Sequence, residues 1–178
     1  MKVHVGCGIR DFGKDWFNVD GADFSHIHSK DIFLKNLEDN SVDLIYASHL
    51  IAYFDYQEIR ELFNCWKRVL KEDAILRIAT PDFEKLIDLY QLGEVSLDQI
   101  IGPLYGKMLM NESYVYHKTT YDFEKLRDVL EKIGFRRVKE YNWRNTDHSQ
   151  FDDHSQAYIP HMHKKDGVLI SLNIECKK

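Results

Sequence analysis

Apolar residues fall along this chain in two kinds of pattern. Short runs at Val3-His4-Val5, Trp16-Phe17-Asn18-Val19, Val42-Asp43-Leu44-Ile45-Tyr46-Ala47 and Ala74-Ile75-Leu76-Arg77-Ile78-Ala79 are bounded by turn signals such as Gly6-Cys7-Gly8, Asp39-Asn40-Ser41 and Thr80-Pro81-Asp82. Their length and bounds predict strands. Between the third and fourth runs, Ile59, Leu62, Phe63, Trp66, Val69 and Leu70 recur at three- and four-residue steps. That spacing puts them on one face of a helix over Tyr56 to Lys71. Residues 82–91 also read as helical, and Phe123, Leu126, Val129, Leu130 and Ile133 mark another helix that Gly134 stops. Two last strands, Phe135 to Tyr141 and Gly167 to Glu175, enclose a polar, histidine-rich segment, 142–166.

Strands alternating with helices imply βα units and a mainly parallel sheet covered on both faces. The last pair, with no helical pattern between them, fits an antiparallel arrangement. The expectation is an α/β chain forming a single doubly wound, mainly parallel Rossmann-like sheet with an antiparallel last strand. One domain takes up residues 1–178, with 93–120 and 142–166 as rim segments. A length of 178 residues with 44% apolar content is enough for one real core.

Charge narrows the partners. Twenty-four Lys and Arg stand against twenty-nine Asp and Glu, a net charge of −5. Phosphate-tracking proteins need a basic surface, so no nucleic acid is expected. A small anionic substrate held by local cations stays open, as does an oligomer. Three scattered cysteines with no CxxC spacing predict reduced thiols. There is no apolar stretch near the 18 residues a membrane span needs, so the expectation is a cytoplasmic chain off the membrane. His161-x-His163 near Asp152, Asp153 and His154 lacks the closed spacing of a metal site, and no metal is expected.

Ligands of open α/β sheets bind beyond the carboxyl ends of the strands. The informative residues are therefore Gly6-Cys7-Gly8, Asp20, Ser48-His49 and Thr80-Pro81-Asp82. Glycines at the first strand end let the backbone approach a ligand, and a carboxylate at the second suits paired ribose hydroxyls. Together they describe a nucleoside-containing cofactor. The dinucleotide fingerprint GxGxxG fails at Asp11, which disfavours a nicotinamide enzyme. Topology also brings 142–166 to the carboxyl edge, where Asp152, Asp153, His154, Tyr158 and His161 could hold a hydroxyl-rich acceptor.

The runs Val5-Gly6-Cys7-Gly8, Trp16-Phe17-Asn18-Val19-Asp20, Leu37-Glu38-Asp39-Asn40-Ser41-Val42-Asp43 and Arg68-Val69-Leu70-Lys71 resemble class I S-adenosylmethionine-dependent methyltransferases. The tail from Asp152 through Tyr158, Pro160-His161-Met162 and Leu169-Ile170-Ser171-Leu172-Asn173 is similar to a compact group of them associated with surface-polysaccharide loci. The resemblance implies methyl transfer from S-adenosylmethionine, with S-adenosylhomocysteine as product, to a small hydroxylated acceptor, a sugar or nucleotide sugar.

By the same resemblance Gly6 and Gly8, with Cys7 between them, meet the methionine part of the cofactor. Asp20 holds the ribose, Asp31 and the Ile32 backbone lie beside the adenine, and Ser48 and His49 lie near the methyl group. His49 is the first candidate base and Asp82 the second. Each has a bland alternative: Asp20 as a turn cap, Asp31 and Asp82 at helix starts, His49 as a structural histidine, and Cys7 as a small packing residue. The chain departs from the group's pattern where Leu-Glu-His is replaced by Ile51-Ala52-Tyr53. Tyr53 is left as an acceptor contact. The missing carboxylate and imidazole also admit a regulatory protein that binds the cofactor without turnover.

Overall fold

The computed structural model describes residues 1–110, 112–161 and 163–178. Met162, part of the tail likeness, lies outside them. In chain order the strands are β1 (Lys2–Val5), β2 (Trp16–Val19), β3 (Val42–Ser48), β4 (Leu70–Pro81), β5 (Met108–Met110), β6 (Ser113–Val115), β7 (Arg136–Glu140), β8 (Tyr158–Ile159), β9 (Val168–Leu169) and β10 (Ser171–Lys177). The helices are α1 (Tyr56–Val69), α2 (Phe83–Gln91), α3 (Leu97–Tyr105) and α4 (Phe123–Ile133).

Six strands form one sheet in the order β2-β1-β3-β4-β10-β7. β1 pairs parallel with β2 and β3, and β3 parallel with β4. β10 lies antiparallel between β4 and β7. The chain thus winds outward from β1 in both directions and reverses between β1 and β3, which is where such sheets bind ligands. β5–β6 and β8–β9 are separate two-stranded ribbons.

Alternation along the strands decides the two faces. Val3, Val5, Ile45, Ala47, Leu76, Ile78, Leu172 and Ile174 join the apolar side of α1 and α4 in the main core. Leu62, Phe63 and Trp66 of α1 are fully buried there, each worth roughly 1.5–3 kcal/mol of burial. Asp55 starts α1 through a capping box with Glu58. Gly134, at φ 94°, ends α4 in the left-handed conformation that glycine adopts without strain.

The opposite face carries His4, Trp16, Leu44 and Tyr46, and its cover differs from the expected helices. Phe12 and residues 142–157, a run of turns and short 3₁₀ helices, lie across it. The His148 ring lies 4.0 Å from that of Tyr46 at a tilt, Phe151 stacks 4.4 Å from Phe12, and Asp147 pairs with Lys2 at the amino end of β1. Ten residues between β1 and β2 are too few for a packed crossover helix, so this returning segment fills the space. Residues 142–157 therefore cover a face of the sheet, with Asp153 held on Tyr46, and His154 reaches the carboxyl edge at His49.

β4 also starts earlier than the apolar run suggests. α1 ends at Val69 because Leu70 is already extended (φ −64°, ψ 139°). Leu70 pairs with Val42, and a register shift before Leu44–Ile75 absorbs the exposed Lys71-Glu72-Asp73 excursion. No helix among the described residues is long and apolar enough to cross a membrane.

Candidate active site

The switch point between β1 and β3 gathers the glycine loop, Asp20, Ser48 and His49. Gly6 has φ 71°, and a Cβ there would stand 3.1 Å from Leu50 Cδ2. Gly8 has φ 55° and open space where its Cβ would point. Its N–H donates to Asp20 Oδ2 at 2.8 Å, and Ala22 N–H donates to Oδ1 at 2.9 Å. The carboxylate thus ties the loop after β1 to the end of β2. Each oxygen keeps a lone pair for a further donor, so the capping and ribose roles are compatible.

Cys7 is 1% exposed, and its thiol lies 3.7 Å from His26 Nε2. Burial, reinforced by Asp20, pushes the thiol up to about 12. It packs as a small neutral side chain.

Asp31 and Ile32 both take part in holding their own loop. The Asp31 carboxylate accepts N–H groups of Phe33 (3.1 Å), Lys35 (2.6 Å) and Asn36 (3.3 Å). The Ile32 carbonyl accepts Trp66 Nε1–H at 2.8 Å. The long irregular connection 20–41 has to satisfy its own backbone, and Asp31 does so as a turn cap. The side chains of Ile32 and Phe33, which pack against the core, are what this loop can offer a flat apolar ring.

Ser48 and Thr80 stand at the carboxyl ends of β3 and β4. Among the described residues neither buried hydroxyl meets a hydrogen-bond partner. Buried polar groups are ordinarily paired, so two orphan hydroxyls at this edge fit a polar ligand. His49 follows in a left-handed conformation (φ 51°), its N–H bound to Ala79 O at 2.8 Å. Its ring is 5.0 Å from that of His154, and its Nε2 is 3.2 Å from Ser171 Oγ. Burial, then His154, His117 and Arg10, hold His49 well below the usual histidine range and therefore neutral at pH 7.

Asp82 is 8% exposed and caps α2 through Lys85 N–H at 3.3 Å. Burial raises its pKa. Tyr53 donates to the Gly106 carbonyl at 2.6 Å and meets the His117 ring edge-on at 4.6 Å, tying the rim to the 3₁₀ turn Ile51–Tyr53.

The proposed acceptor residues separate. His154 reaches His49, and Asp152 stays exposed with its carboxylate on Lys164 at 2.8 Å. His161 is exposed. Asp153 turns inward instead: it accepts the Tyr46 hydroxyl and Ser155 N–H, because the return over the second face needs an anchor. Tyr158 is 7% exposed and accepts Trp143 Nε1–H at 3.3 Å, so it packs in the interior.

Three residues at this edge escaped the sequence reading. Arg10 sets Nε on the Asp152 carbonyl at 2.7 Å and is an electrostatic neighbour of both His49 and His154. Ser171 and Asn173 are buried on β10 beside His49. Their signal was polar residues alternating with apolar ones in a buried strand.

Residues 4–78 match a family model described as a methyltransferase domain. No curated protein matches the chain. A SAM-dependent methyltransferase from Archaeoglobus fulgidus has a similar structure, with TM-score 0.60, 19% identity, and coverage of 99% of this chain and 85% of that one. A SAM-dependent methyltransferase from Thermotoga maritima, a possible histamine N-methyltransferase, gives 0.58 at 14% identity over 99% and 81%. A Haloferax volcanii methyltransferase, solved with the Trm112 activator, gives 0.55 at 13% over 99% and 80%. The strand order and the ligand edge are those of the class I methyltransferase fold, and the part of the chain that builds this edge, residues 4–78, is similar to a methyltransferase domain.

Proposed function

We propose that the protein moves a methyl group from S-adenosylmethionine to a hydroxyl of a small acceptor, with a sugar or nucleotide sugar the class its motifs resemble. The supporting observation is the convergence of Gly6, Gly8, Asp20, Ser48 and His49 on one sheet edge. Gly6 makes the turn and Gly8 leaves backbone open to the methionine part, Asp20 has lone pairs left for the ribose, and the unpartnered Ser48 Oγ offers a hydrogen bond in the same place. When bound, the cofactor supplies a methyl already activated by its sulfonium, so alignment is the protein's main task. His49 is kept neutral by burial, so it can take the proton of the acceptor hydroxyl. His154, Asp152 and His161 lie on the acceptor side, and Asp82 is the second candidate base.

One observation favours a cofactor-binding protein without turnover. Ile51 and Ala52 are buried, and Tyr53 is bound to Gly106, where related enzymes carry Glu and His. Labelled S-adenosylmethionine offered with hydroxylated acceptors separates the two readings. Transfer that falls roughly 10²–10⁴-fold in His49→Gln, as expected for loss of a general base, at unchanged cofactor affinity, is the expected result. Tight binding without transfer across sugar and nucleotide-sugar acceptors supports the second reading. Tighter binding of a nicotinamide dinucleotide sinks the cofactor assignment.

A further inference from the structure

His49 does not stand alone at the carboxyl edge. Its Nε2 faces Ser171 Oγ at 3.2 Å, Ser171 Oγ faces Asn173 Oδ1 at 3.0 Å, and Asn173 Nδ2 faces the Ser155 carbonyl at 2.9 Å. Ser171 and Asn173 are buried, and Ser155 is 1% exposed. The chain begins on the segment that crosses the second face and ends on the ring beside the glycine loop.

The direction of every proton in this chain follows from one fixed end. A backbone carbonyl only accepts, so the side of Asn173 facing Ser155 must be its NH₂. Its Oδ1, also only an acceptor, then points at Ser171. The other group near Ser171 Oγ is the Thr80 carbonyl at 3.5 Å, again only an acceptor. The single hydroxyl proton of Ser171 therefore goes to Asn173, the shorter contact, and its oxygen is left to accept. His49 must supply the proton of the Nε2 contact.

We infer that Ser155, Asn173 and Ser171 set the tautomer of His49, holding the proton on Nε2 and leaving the Nδ1 lone pair as the atom that accepts the proton of the acceptor hydroxyl. Ser171 and Asn173 are positioning residues, and Nδ1 has no hydrogen-bond partner among the described residues that would compete for it. The tautomer follows from the hydrogen bonds alone; the role of Nδ1 rests on the reading of His49 as base. The same arrangement holds the ring by its far nitrogen, so its free edge keeps one orientation without a carboxylate partner.

Nitrogen-15 NMR of the histidine side chains in the intact protein tests the assignment before any variant is made. The expected His49 signals are a protonated Nε2 and an unprotonated Nδ1 at pH 7. A protonated Nδ1 with a bare Nε2 overturns the inference. Ser171→Ala should let a second tautomer appear and lower methyl transfer roughly tenfold, the worth of one ordinary hydrogen bond, at unchanged affinity for S-adenosylmethionine. Ser171→Thr, which keeps the hydroxyl, should restore both. A single unaltered tautomer and full activity in a folded Ser171→Ala protein overturn the positioning role. Full activity of His49→Gln, with the wild-type tautomer as assigned, removes Nδ1 from the chemistry and with it the base reading, leaving the hydrogen-bond assignment intact.

Discussion

Acidification from about pH 7 to 5 should destabilise this protein through two histidines buried on the second face of the sheet. His4 and His148 are each 1% exposed on the second face of the sheet. They sit among Phe12, Trp16 and Tyr46, with the His4 ring 3.9 Å from Phe12. His4 Nδ1 and His148 Nε2 have no partner among the described residues, so a charge there would be desolvated and uncompensated. Burial first, then His148, takes His4 down to about 3; burial first, then Arg77, takes His148 down to about 4.

In each case the folded value lies below the unfolded one near 6.5, so the unfolded chain takes up the proton first. Stability is then complete above about pH 6.5 and falls as pH drops toward the folded values. At pH 5 each histidine costs about 2 kcal/mol, from roughly 1.5 pH units at 1.36 kcal/mol per unit. At pH 5 both folded rings are still neutral and do not repel, so the two costs add, to about 4 kcal/mol. Most unfolded carboxylates do not titrate until about pH 4, so this window belongs to histidine. Urea unfolding at several pH values, in wild type and in His148→Phe, checks the reasoning. The variant should lose about 2 kcal/mol of the acid dependence at constant m. Equal slopes in the two proteins would refute it.

Three further outcomes follow from single contacts. Gly6→Ala should lose cofactor affinity and cost about 1–3 kcal/mol in a thermal melt, since a Cβ at φ 71° is strained and meets Leu50 at 3.1 Å; an unchanged melt contradicts this. Asp20→Ala should weaken S-adenosylmethionine by about 1–3 kcal/mol in calorimetry, the range for hydrogen bonds to a charged group; unaltered affinity takes Asp20 out of the site. Leu62→Ala, at a fully buried position of α1, should cost about 2–5 kcal/mol in denaturant unfolding with the fold retained; a loss under 1 kcal/mol would mean that α1 repacks.

The sequence alone determined most of the elements and the strand ends at which the candidate site lies. Strand runs and helical spacing report burial along a single segment, and each of α1, α2, α4, β1, β2 and β3 lies where its pattern placed it. The turn at Gly6 and Gly8 and the carboxylate of Asp20 at the end of β2 were legible because glycines and a carboxylate at strand ends are local features. What only the tertiary structure decided was the use of polar groups brought together from distant positions. Asp20, Asp31 and Asp153 all accept backbone N–H groups, but Asp31 takes three and Asp153 also takes the Tyr46 hydroxyl. No local pattern says which partner arrives.

The cover of the second face is of the same kind. Residues 142–151 read as a rim loop until the gap left by the short β1–β2 connection drew Phe151 and His148 across the sheet. Ser171 reaches His49, with Asn173 behind it, because β10 inserts antiparallel beside β4, pairing Ser171 with Pro81. A strand's register sets which side chains meet at an edge, and register is a property of the partner strand as much as of the segment itself.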